Sequence, residues 1–295
     1  MREASLARVQ EEIRVTKGKI VLGNNLEIRY AKYKGILKNL TIMSDIFMRN
    51  VLKEKICTEY VLQVILQKKD LKITDQIIQK DYKNLQGRSA ILDCVARDLE
   101  GKQFNIEIQQ DKEGAAPKRA RYHSALLDMD ILNPGQEFKE LPESYVIFIT
   151  REDVLGHGFT IYHVNRTIEE TGQIFEDEAH IIYVNSAVQE DTELGDLLHD
   201  LHCKNADEMY SEILASRVRQ LKETEKGVDF MCQEMERIYE EGTEYGIEIG
   251  ERRKAQETVF SLAEMGFSIE QIAQAVKINR KIVEDWLEES VSTLK

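Results

Sequence analysis

A strand, a short turn and a second strand over residues 91–109 constrain the fold more than any other part of this sequence. Residues 103–109 alternate polar with apolar side chains, which is the period-2 pattern of a half-buried strand. Residues 91–97 form the other strand. The link between them predicts a three-residue hairpin loop, 99–101, with glycine at its left-handed position.

The predicted register of this hairpin brings two acids together. If Asp98 pairs with Lys102, the numbers of paired residues sum to 200, so Asp93 lies directly opposite Glu107. Cross-strand neighbours have Cβ atoms about 4.5–5.5 Å apart, and like charges there are destabilising. A divalent cation between the carboxylates removes that repulsion. The alternative is a solvated hairpin in which Arg97 compensates the acids.

A cation held by two carboxylates and waters is typical of magnesium, which also binds substrate phosphates. The chemistry this indicates is phosphodiester hydrolysis, in which the metal lowers the pKa of a bound water and stabilises charge on the phosphate. Gln109 faces the same site as Glu107. It can position water or phosphate only by hydrogen bonding, because its amide carries no charge.

The motif order resembles the PD-(D/E)XK nuclease superfamily, and within it the nuclease-family transposases, also called Rpn-type recombination-promoting nucleases. The likeness spans roughly residues 40–250. It is carried by five segments in order, namely 44–47 (SDIF), 87–93 with Asp93, 107–109 (EIQ), 119–127 (RARYHSALL) and 141–149, followed by 183–185.

This resemblance implies a restriction-endonuclease-like α/β fold, a mixed central sheet flanked by helices, with an all-helical C-terminal extension. It implies a metal-dependent DNA endonuclease in which Asp93 and Glu107 bind Mg²⁺ or Mn²⁺ and Gln109 positions water or phosphate. Asp45 is carried over as a further acid reaching the metal. Its alternative role is at the N-terminus of a helix, where Ser44 or Asp45 would cap backbone N–H groups.

Two residues depart from the superfamily pattern. Gln109 stands where the (D/E)-x-K element has lysine, and Leu92 stands where proline precedes the first acid. The loss of lysine removes a positive charge and makes slow or conditional cleavage an expectation. A catalytically inactive nuclease-fold protein that binds DNA or protein is therefore the second hypothesis.

Charge distribution bears on a nucleic-acid substrate. The whole chain carries −13, which repels a polyanion. However, residues 1–150 hold 25 Lys+Arg against 21 Asp+Glu, a net +4, whereas residues 151–295 hold 15 against 32, a net −17. Basic and aromatic residues follow the hairpin directly, and they predict DNA-backbone contacts at Lys118, Arg119, Arg121 and Tyr122. The alternative is a solvated helix start with Tyr122 packed on the sheet.

The sequence divides into four predicted segments. These are 1–40 of unclear role, a nuclease-like core at 41–210, a helical connector at 211–255 and a small helix-turn-helix-like unit at 256–295. Within the core, 45–66 predicts one or two helices, 71–81 a helix or irregular connection, 117–131 a helix and 145–149 a buried strand. Charged N-terminal residues, no long apolar run and four separate cysteines predict a cytoplasmic protein without a membrane span.

The C-terminal third offers two weaker signals. Glycines at 242, 246 and 250 share one helix face, so two copies could pair there, although a solvated connector has the same pattern. In the last unit the third helix would present Arg280 and Lys281 to DNA. The acidic residues around them equally suit a three-helix cap for stability or oligomerisation. The run His199 to Cys203 has only adjacent ligands and no second pair, so it predicts zinc weakly.

Overall fold

The structure is a computed structural model that describes residues 26–83, 89–129, 131–132 and 135–292. The chain divides into two compact units, one ending at Cys232 and one running from Gln233 to Lys295. The segment boundaries given above stay predictions. Within the described residues, no helix combines the length and apolarity needed to cross a bilayer.

Among the residues that the structure describes, the first unit contains six strands and the helices that flank them, and the second is helical. The strands are β1 Ile73–Lys83, β2 Ser89–Asp98, β3 Gln103–Gln109, β4 Ser144–Thr150, β5 Ile161–Val164 and β6 Ala179–Asn185. The helices are α1 26–37, α2 Asp45–Leu52, α3 Lys55–Leu66, α4 Pro117–Met129, α5 Glu193–His202, α6 Glu212–Glu223, α7 Glu225–Glu264, α8 Ile269–Val276 and α9 Arg280–Ser292. Short 3-10 turns occur at Lys112–Ala115, Phe138–Glu140 and Ala206–Glu208.

The strands form one mixed sheet in the order β1-β2-β3-β4-β6-β5. Strands β1, β2 and β3 are antiparallel neighbours, β3, β4 and β6 run parallel, and β5 closes the far edge antiparallel to β6. All seven residues of β4 are buried, as expected for a central parallel strand covered on both faces. The predicted restriction-endonuclease-like α/β fold is confirmed.

The register predicted for the hairpin is also confirmed. Cys94 lies opposite Ile106 and Arg97 opposite Gln103, so paired numbers sum to 200. The turn is held by the Asp98 carboxylate, which accepts the backbone N–H groups of residues 100 and 102, each at 2.9 Å. Gly101 adopts φ +86°, which a side chain would disfavour.

Two expectations about the sheet are wrong. The strand β3 is not half-buried, because α4 covers its polar face and six of its seven residues are buried. Residues 71–81 are not helical or irregular, because most of them belong to β1, which pairs along its length with β2. As an edge strand, β1 is specified mainly by hydrogen bonds to its neighbour, and its own apolar pattern is weak.

Helix α4 is anchored to the sheet by a cluster of apolar side chains. Leu126 and Leu127 of the helix pack with Val95, Val146 and Phe148 of the strands. Each such side chain contributes about 1.5–3 kcal/mol when fully buried. Pro117 occupies the first position of the helix, where its missing N–H would have no partner. This packing sets where the polar residues of α4 meet β3.

The second unit has a small core of its own. Val259, Ile272, Val283 and Trp286 are buried together, and Gly266 ends the first helix at φ +84°. Ser268 caps α8 in a capping box with Gln271. Ile282 of α9 is 42% exposed and lies outside this core.

Candidate active site

The candidate site lies where the parallel strands end. The backbone N–H of Arg151, just after β4, donates to the carbonyl of Gln109 at 3.0 Å. The side chain of Gln110 donates to the carbonyl of Met43 at 3.0 Å, which holds the chain just before α2 against this edge. The C-terminal ends of the strands in an open α/β sheet are where such proteins bind ligands.

Asp93 and Glu107 meet at this end of the sheet, where Asp93 is half-buried. The N–H of Asp93 donates to Glu107 Oε1 at 3.1 Å, and the N–H of Ile108 donates to Asp93 Oδ2 at 3.3 Å. Glu107 is fully buried. Burial, then the charges of Glu107 and Asp45, raise the pKa of Asp93 to about 7. The pair therefore attracts either a proton or a cation.

The Gln109 side chain lies between the acid pair and Gly114. Its Nε2 faces Glu107 Oε2 at 3.4 Å. On its other side lies Gly114, where an added Cβ would overlap the Gln109 Oε1. The amide is thus confined between the acid and the turn that leads to α4, and glycine at 114 is what makes room for it.

Three polar residues near Glu107 form a cluster that was not predicted from the sequence. His123 Nδ1 lies 3.4 Å from Glu107 Oε1 and 3.3 Å from the Asn105 side-chain amide. Arg119 Nε donates to His123 Nε2 at 3.3 Å, and Arg119 Nη2 lies 3.7 Å from Glu107 Oε2. The available signal was the i, i+4 spacing of Arg119 and His123 on the helix that covers the polar face of β3.

A family model described as PD-(D/E)XK nuclease family transposase matches residues 45–245. The chain belongs to this family. Comparison with curated proteins and comparison with solved structures each find no match. The matched range includes every strand of the sheet and begins at Asp45.

In this member of the family, Asp45 lies at the first position of α2, near the acid pair. Its carboxylate is bound by both Nε and Nη2 of Arg49, one turn further along the helix. Ser44 occupies the N-cap position, but its side chain makes no capping bond to the helix. The charge of Asp45 still acts on Asp93, since it is one of the causes of the raised pKa.

The donor set fits the divalent metals that PD-(D/E)XK nucleases use. The two acids lie side by side, each uses one oxygen on a backbone N–H, and burial together with the charge of Glu107 raises the pKa of Asp93. Hard divalent cations bind such oxygens. Asp93 and Glu107 would hold the ion, with the Asp45 carboxylate nearby.

The predicted DNA-contacting residues fall in different environments. Lys118 and Arg121 are exposed on α4, whereas Tyr122 is half-buried against the apolar cluster under that helix. In the second unit, Arg280 is exposed but paired with Glu270 at 2.8 Å and Glu284 at 2.7 Å. Lys281 is exposed beside it.

His199, Asp200 and Cys203 form a second polar cluster, with ligand atoms within 4.8 Å of one another. It lies at the end of α5 and is largely buried. Both Asp200 oxygens accept backbone N–H groups, from Tyr210 and Ser211, at 2.8 Å. Burial raises the pKa of the Cys203 thiol to about 11, which disfavours the thiolate that a metal would require.

Proposed function

We propose that this chain is a metal-dependent DNA endonuclease of the transposase or recombination-promoting type, which hydrolyses phosphodiester bonds. The observation that supports this most is the pairing of the buried Glu107 with the half-buried Asp93, where the parallel strands of a PD-(D/E)XK family sheet end. Two acids this close destabilise a fold unless one is protonated or a cation lies between them.

The roles of the residues follow from their chemistry. Asp93 and Glu107 hold Mg²⁺ or Mn²⁺, with Asp45 as an additional acid. When bound, such a metal supplies a water of lowered pKa and neutralises charge on the phosphate. Gln109 orients Glu107 through its Nε2 and offers its amide to water or phosphate.

DNA contacts in this proposal come from α4. Lys118 and Arg121 are exposed there, and together with Arg119 and Tyr122 they would bind the DNA backbone. Three further points stay predictions. They are DNA contacts by Arg280 and Lys281, pairing of two copies through the C-terminal helices, and a cytoplasmic location.

One observation favours the second hypothesis, an inactive nuclease-fold protein that binds DNA or protein. Gln109 brings no positive charge to the site, and its amide is already engaged with Glu107. Such a protein would bind DNA without cutting it.

Supercoiled-plasmid nicking in Mg²⁺ or Mn²⁺ separates the two hypotheses. We expect nicking by the wild-type chain and a loss of about 100-fold or more in Asp93→Asn and in Glu107→Gln, since each removes a metal-binding charge without changing shape. The matched control is Glu100→Gln, the same chemical change at the exposed turn of the same hairpin. It should nick at the wild-type rate.

Thermal unfolding of each variant shows whether it is folded. Equal nicking by folded wild-type and Asp93→Asn proteins would refute the assignment of the site. A wild-type protein that neither nicks nor binds either metal would favour the inactive binding protein.

A further inference from the structure

The acids around the candidate site create a problem for any phosphate that enters it. Asp45, Asp93 and Glu107 are close enough for the charges of the other two to raise the pKa of Asp93. A DNA phosphate is itself an anion, and a bound cation offsets only part of this negative charge. A fixed positive side chain at the acid pair would offset more of it.

Most of the nearby cations described by the structure are already engaged elsewhere. Arg49 binds the Asp45 carboxylate through two nitrogens. Lys112 lies 3.6 Å from Glu152. Gln109 faces the acid pair directly but is neutral. Arg119 is the guanidinium that reaches Glu107, with Nη2 3.7 Å from its Oε2.

Arg119 is oriented by a buried partner. Its Nε–H donates to His123 Nε2, so that nitrogen carries the lone pair and Nδ1 carries the hydrogen. The Nδ1–H is then directed at Glu107 Oε1 and at the Asn105 amide. The buried Asn105 Oδ1 has no hydrogen-bond partner. If the side-chain amide is rotated by 180°, this oxygen faces His123 and accepts the Nδ1 hydrogen.

One face of the anchored guanidinium remains open. The Arg119 side chain is 41% exposed, whereas Glu107 is fully buried. The guanidinium has five N–H donors in a planar fork, and its contacts to His123 and Glu107 use only part of them. The remaining donors suit bidentate binding of a phosphate.

We propose that Arg119 is a catalytic residue that binds the phosphate undergoing hydrolysis, and that it supplies from α4 the positive charge which Gln109 lacks. This inference rests on the proposed nuclease function and narrows it. It separates Arg119 from Arg121, which is exposed on the same helix and would bind the DNA backbone away from the acids.

A charge swap tests the proposal, because Gln109 Nε2 and Arg119 Nη2 approach the same oxygen, Glu107 Oε2. The variants are Arg119→Gln, Gln109→Lys, the double variant, Arg121→Gln as the contrast and Arg97→Gln as the control. Arg97 is an exposed arginine of β2 that pairs with Gln103, at the turn end of the hairpin and four residues from Asp93. Single-turnover nicking is measured in Mn²⁺, and DNA affinity is measured without metal in EDTA.

We expect Arg119→Gln to slow nicking about 100-fold. The double variant should regain at least about tenfold of that loss, since lysine restores the charge beside the same oxygen. Arg121→Gln should instead weaken DNA binding in EDTA and lower its salt slope by about 1. If Arg119→Gln and Arg121→Gln behave alike, or if Gln109→Lys fails to rescue Arg119→Gln, the proposal is wrong.

Two further outcomes keep the test decisive. If Arg119→Gln does not fold, Arg119→Lys takes its place and should retain most nicking, because the charge is kept. If the wild-type chain and folded Arg119→Gln nick at the same rate, the proposed function stands and this inference alone is wrong. If the wild-type chain does not nick, the proposed function fails and this inference fails with it.

Discussion

The two units of this chain place their charged residues in opposite ways. In the first unit, the buried Glu107 and the half-buried Asp93 lie against each other at the end of the sheet. In the second, Arg280 is exposed and paired with Glu270 and Glu284. Exposed pairs of this kind add little to stability, because water screens the attraction between the charges. Buried like charges cost more, so they indicate a ligand more strongly than solvated pairs do.

The largest expected effect concerns the second unit, whose core depends on one large side chain. Trp286→Ala should lower the free energy of unfolding of the helices around it by about 3–5 kcal/mol, because it leaves a cavity among Val259, Ile272 and Val283. Circular dichroism during thermal unfolding measures this. An unchanged melting profile would show that Trp286 does not hold this unit together. Nicking by the same variant shows whether cleavage needs the second unit.

Metal binding should stabilise the first unit and depend on its acids. At a Mn²⁺ concentration of about 100 times Kd, the free energy of unfolding should rise by about 2.7 kcal/mol. Asp93→Asn should abolish this rise, whereas Glu284→Gln, in the second unit, should leave it unchanged. Calorimetry with and without Mn²⁺ measures both. Stabilisation that persists in Asp93→Asn would place the ion elsewhere.

The pH dependence of the metal-free protein should carry the signature of Asp93. Its pKa is raised from 3.8 to about 7, so the native state keeps a proton that the unfolded state loses between those values. The free energy of unfolding should therefore fall as pH rises from about 4 to 7, by at most about 1.4 kcal/mol per pH unit. In Asp93→Asn this contribution should vanish. Urea unfolding in EDTA across that range, with Glu100→Gln as control, checks it.

A smaller effect on nicking is expected when one methyl group is added at Gly114. Gly114→Ala would displace the Gln109 amide, because the added Cβ overlaps its Oε1. The displaced amide should slow nicking about tenfold while DNA affinity in EDTA stays near the wild-type value. Gly246→Ala, in an open stretch of α7, is the matched control. If Gly114→Ala nicks DNA at the wild-type rate, the position of the Gln109 amide has no part in cleavage.

The smallest effect should come from the exposed cation of the second unit. Arg280→Gln should weaken DNA binding by less than about threefold, because Glu270 and Glu284 already neutralise this guanidinium. Anisotropy titrations at several salt concentrations measure it. A drop in the salt slope of about 1 would instead show a phosphate contact by α9.

The sequence predicted the acid pair well because local chemistry determines it. Alternation specifies which face each side chain occupies, and Asp98 with Gly101 specifies the turn, so the register followed. Strand β1 was missed, since adjacent Ile77 and Ile78 break its alternation and its partner supplies most of its order.

The polar cluster around Glu107 was beyond the sequence for a different reason. Asn105 and His123 are 18 residues apart and meet only through the angle at which α4 packs on the sheet. That angle depends on the apolar cluster beneath the helix, so no spacing along the chain encodes it. The same packing explains why β3 is buried on both faces.

The hairpin turn has a consequence for how this chain tolerates genetic change. The number of loop residues determines which residues of β2 and β3 lie opposite each other, because the register follows from the pairing of Asp98 with Lys102. It therefore determines that Asp93 and Glu107 lie close together. Substitutions at Leu99 or Glu100 leave that count intact. A one-codon insertion or deletion in the loop shifts the register and can turn Glu107 to the opposite face of the sheet. In this loop, therefore, a change of length should disturb the site more than a change of residue type.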